Sequence, residues 1–192
     1  MDMIEQIENL TDQFLIAMPG LNDPTFARTV TYLCQHTADG ALGIIINRPS
    51  DLTLGDIMAQ MQIDIDAACE EVHAIPVYHG GPVHPERGFV LHEPAGHWDS
   101  TLNISSQVAM TTSRDILEAL SVGEGPQRVL VALGYAGWGE GQLEQEISQN
   151  AWLNTPASSA ILFDQPPAAR WKAAAGLLGV NIGLLTTQAG HG

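Results

Sequence analysis

Basic residues are scarce in this chain. Arg28, Arg48, Arg87, Arg114, Arg128, Arg170 and Lys172 are the whole complement, set against 22 Asp and Glu, for a formal charge of −15 over 192 residues. Proteins that hold DNA draw most of their affinity from Lys and Arg neutralising phosphates, and beyond Arg170 with Lys172 there is no basic cluster here. Direct binding of nucleic acid is therefore disfavoured, as is adhesion to an anionic membrane. Long apolar runs are lacking too. None approaches the roughly 18 residues of a membrane span, and the richest late segment, 171–185, is broken by Lys172, Gly176, Gly179 and Asn181. The first residues, Met1-Asp2-Met3-Ile4-Glu5, carry acids where a secretory signal carries positive charge, so a cytoplasmic protein is expected. Cys34 and Cys69 are the only cysteines and do not form a C-x-x-C pair; in a reducing compartment they are most simply free thiols.

What is present is the composition of a folded protein, 45% apolar and 15% charged, at a length that fits one domain over 1–192. Residues 1–10 form a leading segment with Ile4, Ile7 and Leu10 at helical spacing, and 181–192 a C-terminal tail. Phe14-Leu15-Ile16-Ala17-Met18 predicts a buried strand stopped by Pro19-Gly20, and Asp23 a cap on a short turn starting at Pro24. The β-branched run 29–36 and the apolar run 41–47, separated by Asp39-Gly40, predict a hairpin. Thr53 and Asp56 have capping-box spacing ahead of Leu54, Ile57, Met58 and Met61 on one helical face. Strands are expected at Val77-Tyr78-His79 and 87–92, paired as a second hairpin, and at Val108-Ala109-Met110. Ser113 caps a helix closed by Gly123. Val129-Leu130-Val131-Ala132-Leu133 has no polar break and predicts a strand buried on both faces. Ala160-Ile161-Leu162-Phe163 predicts a last strand, and Pro166-Pro167 a last helix presenting Trp171, Ala175 and Leu178. The fold class is mixed α/β or α+β.

The densest chemistry lies in 134–146. Gly134, Gly137, Gly139 and Gly141 alternate with Tyr135 and Trp138, then feed a helix bearing Glu140, Glu144 and Glu146. A glycine loop between a buried strand and a helix is the layout of phosphate sites. Here it lacks both G-x-G-x-x-G and G-K-[ST], and Glu140 sits where a phosphate would. A tight structural turn packing Tyr135 and Trp138 is the simpler reading, with the three glutamates as solvated charges at a helix start. A second candidate is His79-Gly80-Gly81-Pro82 with Arg87, which offers a carboxylate site for a ligand or an internal ion pair. Ligand-binding candidates are thus His79, Gly80, Gly81, Arg87, Tyr135 and Trp138. No nucleophile elbow occurs, and Cys34 sits in an apolar strand. Cys34 with His36, His79 with His84, and His92 with His97 are neighbours without the spacing of a structural zinc site, so neither metal nor other cofactor is expected. A pocket joining Tyr135, His79 and a carboxylate would instead indicate an enzyme.

The runs 14–19, 79–83 with 87–92, and 134–138 through Gln142-Leu143-Glu144 with Asn150-Ala151-Trp152-Leu153 resemble, in this order, the bacterial AlgH/YqgE family. The likeness spans about 10–180. It implies a single-domain α/β fold with a β-rich, pseudo-barrel core and short helices around it. Members carry the label of transcriptional regulators, tied to alginate synthesis in one lineage, without an established activity or assigned catalytic residues. Composition and resemblance together point to a regulatory or accessory protein acting through a small ligand or a protein partner, with direct DNA binding and an enzyme site near Tyr135 and His79 as the alternatives.

Overall fold

The computed structural model describes residues 9–189, so the helical spacing at Ile4 and Ile7 lies outside it. Ten strands form one curled, largely antiparallel sheet that closes to a half-barrel. β1 (Gln13–Ala17), β2 (Val30–Thr37) and β3 (Gly40–Ile45) follow one another as antiparallel neighbours, and Asp23 accepts the amides of Thr25 and Phe26 in the turn before β2. β4 (Pro49–Thr53) leads into α1 (Leu54–Gln60) through the expected capping box. Thr53 Oγ1 accepts the Asp56 amide, and the Asp56 carboxylate accepts the Thr53 amide at 2.9 Å. A 3₁₀ segment, Ala67–Ala74, precedes β5 (Pro76–His79) and β6 (Val83–Glu93). β7 (Thr101–Asn103), β8 (Ala109–Thr111) and α2 (Arg114–Ser121) come next. The central strand β9 (Arg128–Trp138) leads to α3 (Gln142–Ser148), β10 (Trp152–Pro156), α4 (Arg170–Gly176) and α5 (Ile182–Ala189).

Strand alternation sorts the apolar side chains into three clusters. Phe14, Ile16, Tyr32, Leu91 and Leu130 point into the half-barrel, closed by Trp171 and Ala175 of α4. Val77, Val90 and Val131 face outward under α1 and α2, meeting Leu54, Met58, Ile116 and Leu117. Leu15, Leu33 and Trp138 face outward farther along, under Leu143 of α3.

Three sequence expectations are corrected. β5 and β6 are not a hairpin. Over Val131–Leu133, β5 runs parallel to β9 on one edge and β6 antiparallel on the other. The run 160–163 is not a strand but a π-helical turn, Ala160–Asp164, in which the adjacent Ile161 and Leu162 both enter the same cluster. A regular strand would send neighbours to opposite faces, whereas the helical turn lets both enter one cluster. The last strand is β10, paired with β1. Finally, 134–138 is not a turn. β9 continues to Trp138, and the chain reverses only at Gly139–Gly141.

Candidate functional site

Between β5 and β6 the chain must pass across β9, and it does so where both backbones lack side chains. A β-carbon on Gly80 would stand 2.3 Å from the Gly134 carbonyl oxygen, and one on Gly81 2.1 Å from the Tyr135 carbonyl carbon. Gly134 itself takes φ +80°, a bulge that shifts the alternation, so that Tyr135 follows Ala132 into the half-barrel and Ala136 and Trp138 turn outward. Gly80 and Gly81 are thus consumed by the crossing.

The crossing also decides where the candidate side chains go. Tyr135 lies edge-on to Phe89, ring centres 5.7 Å apart, and its ring centre is 6.0 Å from that of His84. The Arg87 guanidinium sits 5.6 Å from the Phe89 ring centre. Arg87 and Tyr135 therefore share one aromatic platform, and among the described residues Arg87 makes no ion pair; its positive charge is spent on a ring face. An open groove of about 470 Å³ runs beside the platform, bounded by Tyr135, Gly137 and Trp138 of β9 and by Gln35, Asp39 and Leu42 of the β2–β3 hairpin. His79 is not part of it. Its backbone is held by the Arg48 carbonyl, and its exposed side chain has the parity of Val77, on the opposite face. Tyr135 and His79 do not converge.

Trp138 is 6% exposed. It packs with Trp152 and Phe26, and both indole N–H groups donate to one oxygen of Glu146, each at 3.0 Å. Glu144 lies 2.5 Å from His36 Nε2, while the Leu10 amide donates to His36 Nδ1. With Nδ1 accepting, Nε2 carries the proton. Two of the three glutamates expected to be solvated are thus bound to buried partners, a link that sequence spacing did not signal. A bulge at Cys34 in β2 likewise separates Cys34, inside the half-barrel, from His36, outside it. His92 is a core residue, with Nδ1 at the Pro94 carbonyl and Nε2 at Thr111 Oγ1. Among the described residues no three His, Cys, Asp or Glu gather as for a metal. Arg170, half of the only basic cluster in the sequence, is 3% exposed and turned inward.

Sequence reasoning missed a second concavity. Between α1 and α2 a cleft of about 400 Å³ is floored by Val90, Val131 and Leu133 and walled by Leu52, Ile57 and Leu117. Thr112, Ser113 and Arg114 supply polar groups along its rim. Arg114 is fixed by Glu118 at 3.0 Å and by the Met61 carbonyl at 2.9 Å, tying α2 to the end of α1. At Gly88, also in the lining, a β-carbon would meet nothing closer than 3.9 Å. This is the usual make-up of a ligand pocket, apolar walls with a few placed polar groups.

Among the described residues no helix is long and apolar enough to cross a membrane. A family model described as AlgH-like matches residues 14–183. A UPF0301 protein of Methylococcus capsulatus is 65% identical over 190 residues, 99% of this chain and all of the relative. The solution structure of the AlgH protein from Pseudomonas aeruginosa is 51% identical, covers 97% of each chain and superimposes with a TM-score of 0.79. The crystal structure of protein DIP2367 from Corynebacterium diphtheriae, 18% identical over 96% of each chain with a TM-score of 0.74, shares the fold.

Proposed function

From the premise that the chain belongs to the AlgH-like family, we propose that it is a cytoplasmic regulatory or accessory protein that works by binding a small amphipathic molecule in the cleft between α1 and α2. The cleft carries this reading. Its volume of about 400 Å³ falls within the range of small-molecule sites, its floor is apolar, and its polar groups cluster at the N-terminal end of α2. The apolar body of the ligand lies over Val90, Val131 and Leu133, and its polar end meets Thr112, Ser113 and Arg114. The acidic surface supports a small-molecule or protein target over a nucleic acid.

The test is a thermal-shift screen of amphipathic metabolites against the wild type and Gly88→Val, a substitution at a lining position where a β-carbon stands clear of the backbone. Ligands that stabilise the wild type and not Gly88→Val support the cleft. Ligands that stabilise both equally, and lose their effect in Tyr135→Ala, move the site to the groove beside the aromatic platform; no stabilising ligand at all sinks the reading.

A further inference from the structure

Away from both concavities, a small polar cavity of about 80 Å³ lies between the start of β1, the middle of β2, the β7–β8 loop and the π-helical turn. Asp12, Tyr32, Ser105, Gln107 and Ser159 contribute its polar lining and Leu162 part of its wall. The directions of its hydrogen bonds define what can enter. The Tyr32 hydroxyl donates to Asp12 Oδ1 at 2.6 Å, and Ser159 Oγ donates to Glu93 Oε2 at 2.5 Å. Both hydroxyl protons are committed, so Ser159 offers the cavity only lone pairs, and the buried Tyr32 acts on it through Asp12. The second carboxylate oxygen of Asp12 has no partner among the described residues, and adds a charged acceptor. Ser105 Oγ takes the amides of Gln107 and Val108, at 3.2 and 3.0 Å, which leaves its own proton as a donor.

The acceptors are also held in place. Asp12, at φ +67°, donates its amide to the Leu33 carbonyl and accepts the Ala157 amide. Tyr32 is fully buried and packed edge-on against Phe14. Burial first, then the hydrogen bond and charge of Asp12, with Glu93 adding to them, hold the Tyr32 phenol well above its ordinary pKa. It therefore stays protonated and keeps its bond to Asp12. Arg128 lies 3.9 Å from Glu93 and is itself held by Asp164 at 2.8 Å.

We propose that this cavity binds a primary ammonium group, the Asp12 carboxylate and the Ser159 oxygen receiving its N–H bonds and Tyr32 holding the Asp12 carboxylate in place. The volume, about that of two or three waters, takes a –CH₂–NH₃⁺ head. This site is independent of the cleft between α1 and α2, and either can stand without the other.

The experiment titrates the full-length protein with methylammonium and with putrescine, followed by amide and side-chain NMR shifts. The expected result is saturable one-to-one binding centred on Asp12, Tyr32 and Ser159. Asp12→Asn weakens it by about tenfold or more, through loss of a charge-assisted hydrogen bond, and Ser159→Ala weakens it by a few-fold. Tetramethylammonium, with the charge and no N–H, leaves these residues unmoved. Three results overturn the proposal: no saturable binding in the millimolar range; equal binding of tetramethylammonium, which makes it attraction to an acidic surface; or displacement by equimolar potassium chloride, which makes it a bare-cation site. If Asp12→Asn does not fold, Tyr32→Phe with Ser159→Ala carries the comparison, and unchanged affinity in that pair also overturns it.

Discussion

Trp138 donates its indole N–H to Glu146 Oε1 at 3.0 Å, and the same oxygen receives Trp152. One carboxylate on α3 thus fastens the end of β9 and the start of β10 to a helix that buries only Leu143. Glu146→Ala leaves two indole donors on buried rings without an acceptor and is expected to cost about 2–3 kcal/mol, whereas Glu146→Gln keeps a carbonyl oxygen and costs about 1 kcal/mol. Urea denaturation followed by tryptophan emission measures both. Equal losses would mean that the charge, not the shared acceptor, holds the cluster.

The crossing of β9 predicts an ordered response to alanine. At Gly80 and Gly81 the new methyl meets backbone atoms of Gly134 and Tyr135, which cannot rotate aside. Each substitution is expected to cost at least about 2–3 kcal/mol. Gly88→Ala, with open space around it, should change stability by no more than about 0.5 kcal/mol. A thermal melt of the three variants checks the order, and a stable Gly80→Ala would contradict the geometry of the crossing.

The sequence showed the glycines of 79–82 and 134–137 as two separate candidate segments, one a carboxylate site and the other a tight turn. That each gives the other room to cross was not visible, because the two are joined only through pairing with a strand some 50 residues farther on. Local signals transferred well: β1, the β2–β3 hairpin and the Thr53–Asp56 cap are written in consecutive residues. Strict alternation misplaces faces wherever a bulge intervenes. Cys34 and His36 look like neighbours on one face until the extra residue in β2 separates them, and Tyr135 reverses its face at Gly134. The cleft was illegible for a different reason. It takes one to a few residues from each of β4, α1, β6, β8, α2 and β9, and no stretch of sequence contains its pattern.

Arg170 shows how a rare basic residue is used structurally. Its guanidinium donates to the Gln165 carbonyl at 2.9 Å and to the Ile46 carbonyl, and lies 5.2 Å from the Tyr78 ring centre. Neutral acceptors and a ring face hold it, and among the described residues no carboxylate forms an ion pair with it. Arg170→Lys keeps the charge but loses the planar fork, and an expected loss of about 2–3 kcal/mol follows from the weakened charged hydrogen bonds. Denaturant midpoints with an unchanged slope would assign the loss to the folded state; a variant as stable as the wild type would show that charge alone suffices there.

His92 gives the acid side of the stability profile a specific contributor. Burial pushes its pKa below the ordinary value of 6.5, with the Pro94 carbonyl opposing the shift. The folded protein thus resists a proton that the unfolded chain accepts from about pH 6.5 downward. The sign follows. The contribution is fully present above pH 6.5, and falls away as the pH drops from there to the folded-state pKa, below which nothing more is lost. His92→Gln retains a donor and an acceptor for Pro94 and Thr111 without a titrating group. Its stability measured from pH 7.5 to pH 5 should decline less steeply than that of the wild type. The other histidines are common to both proteins, so the difference in slope isolates His92, and superimposable profiles would remove it as the source.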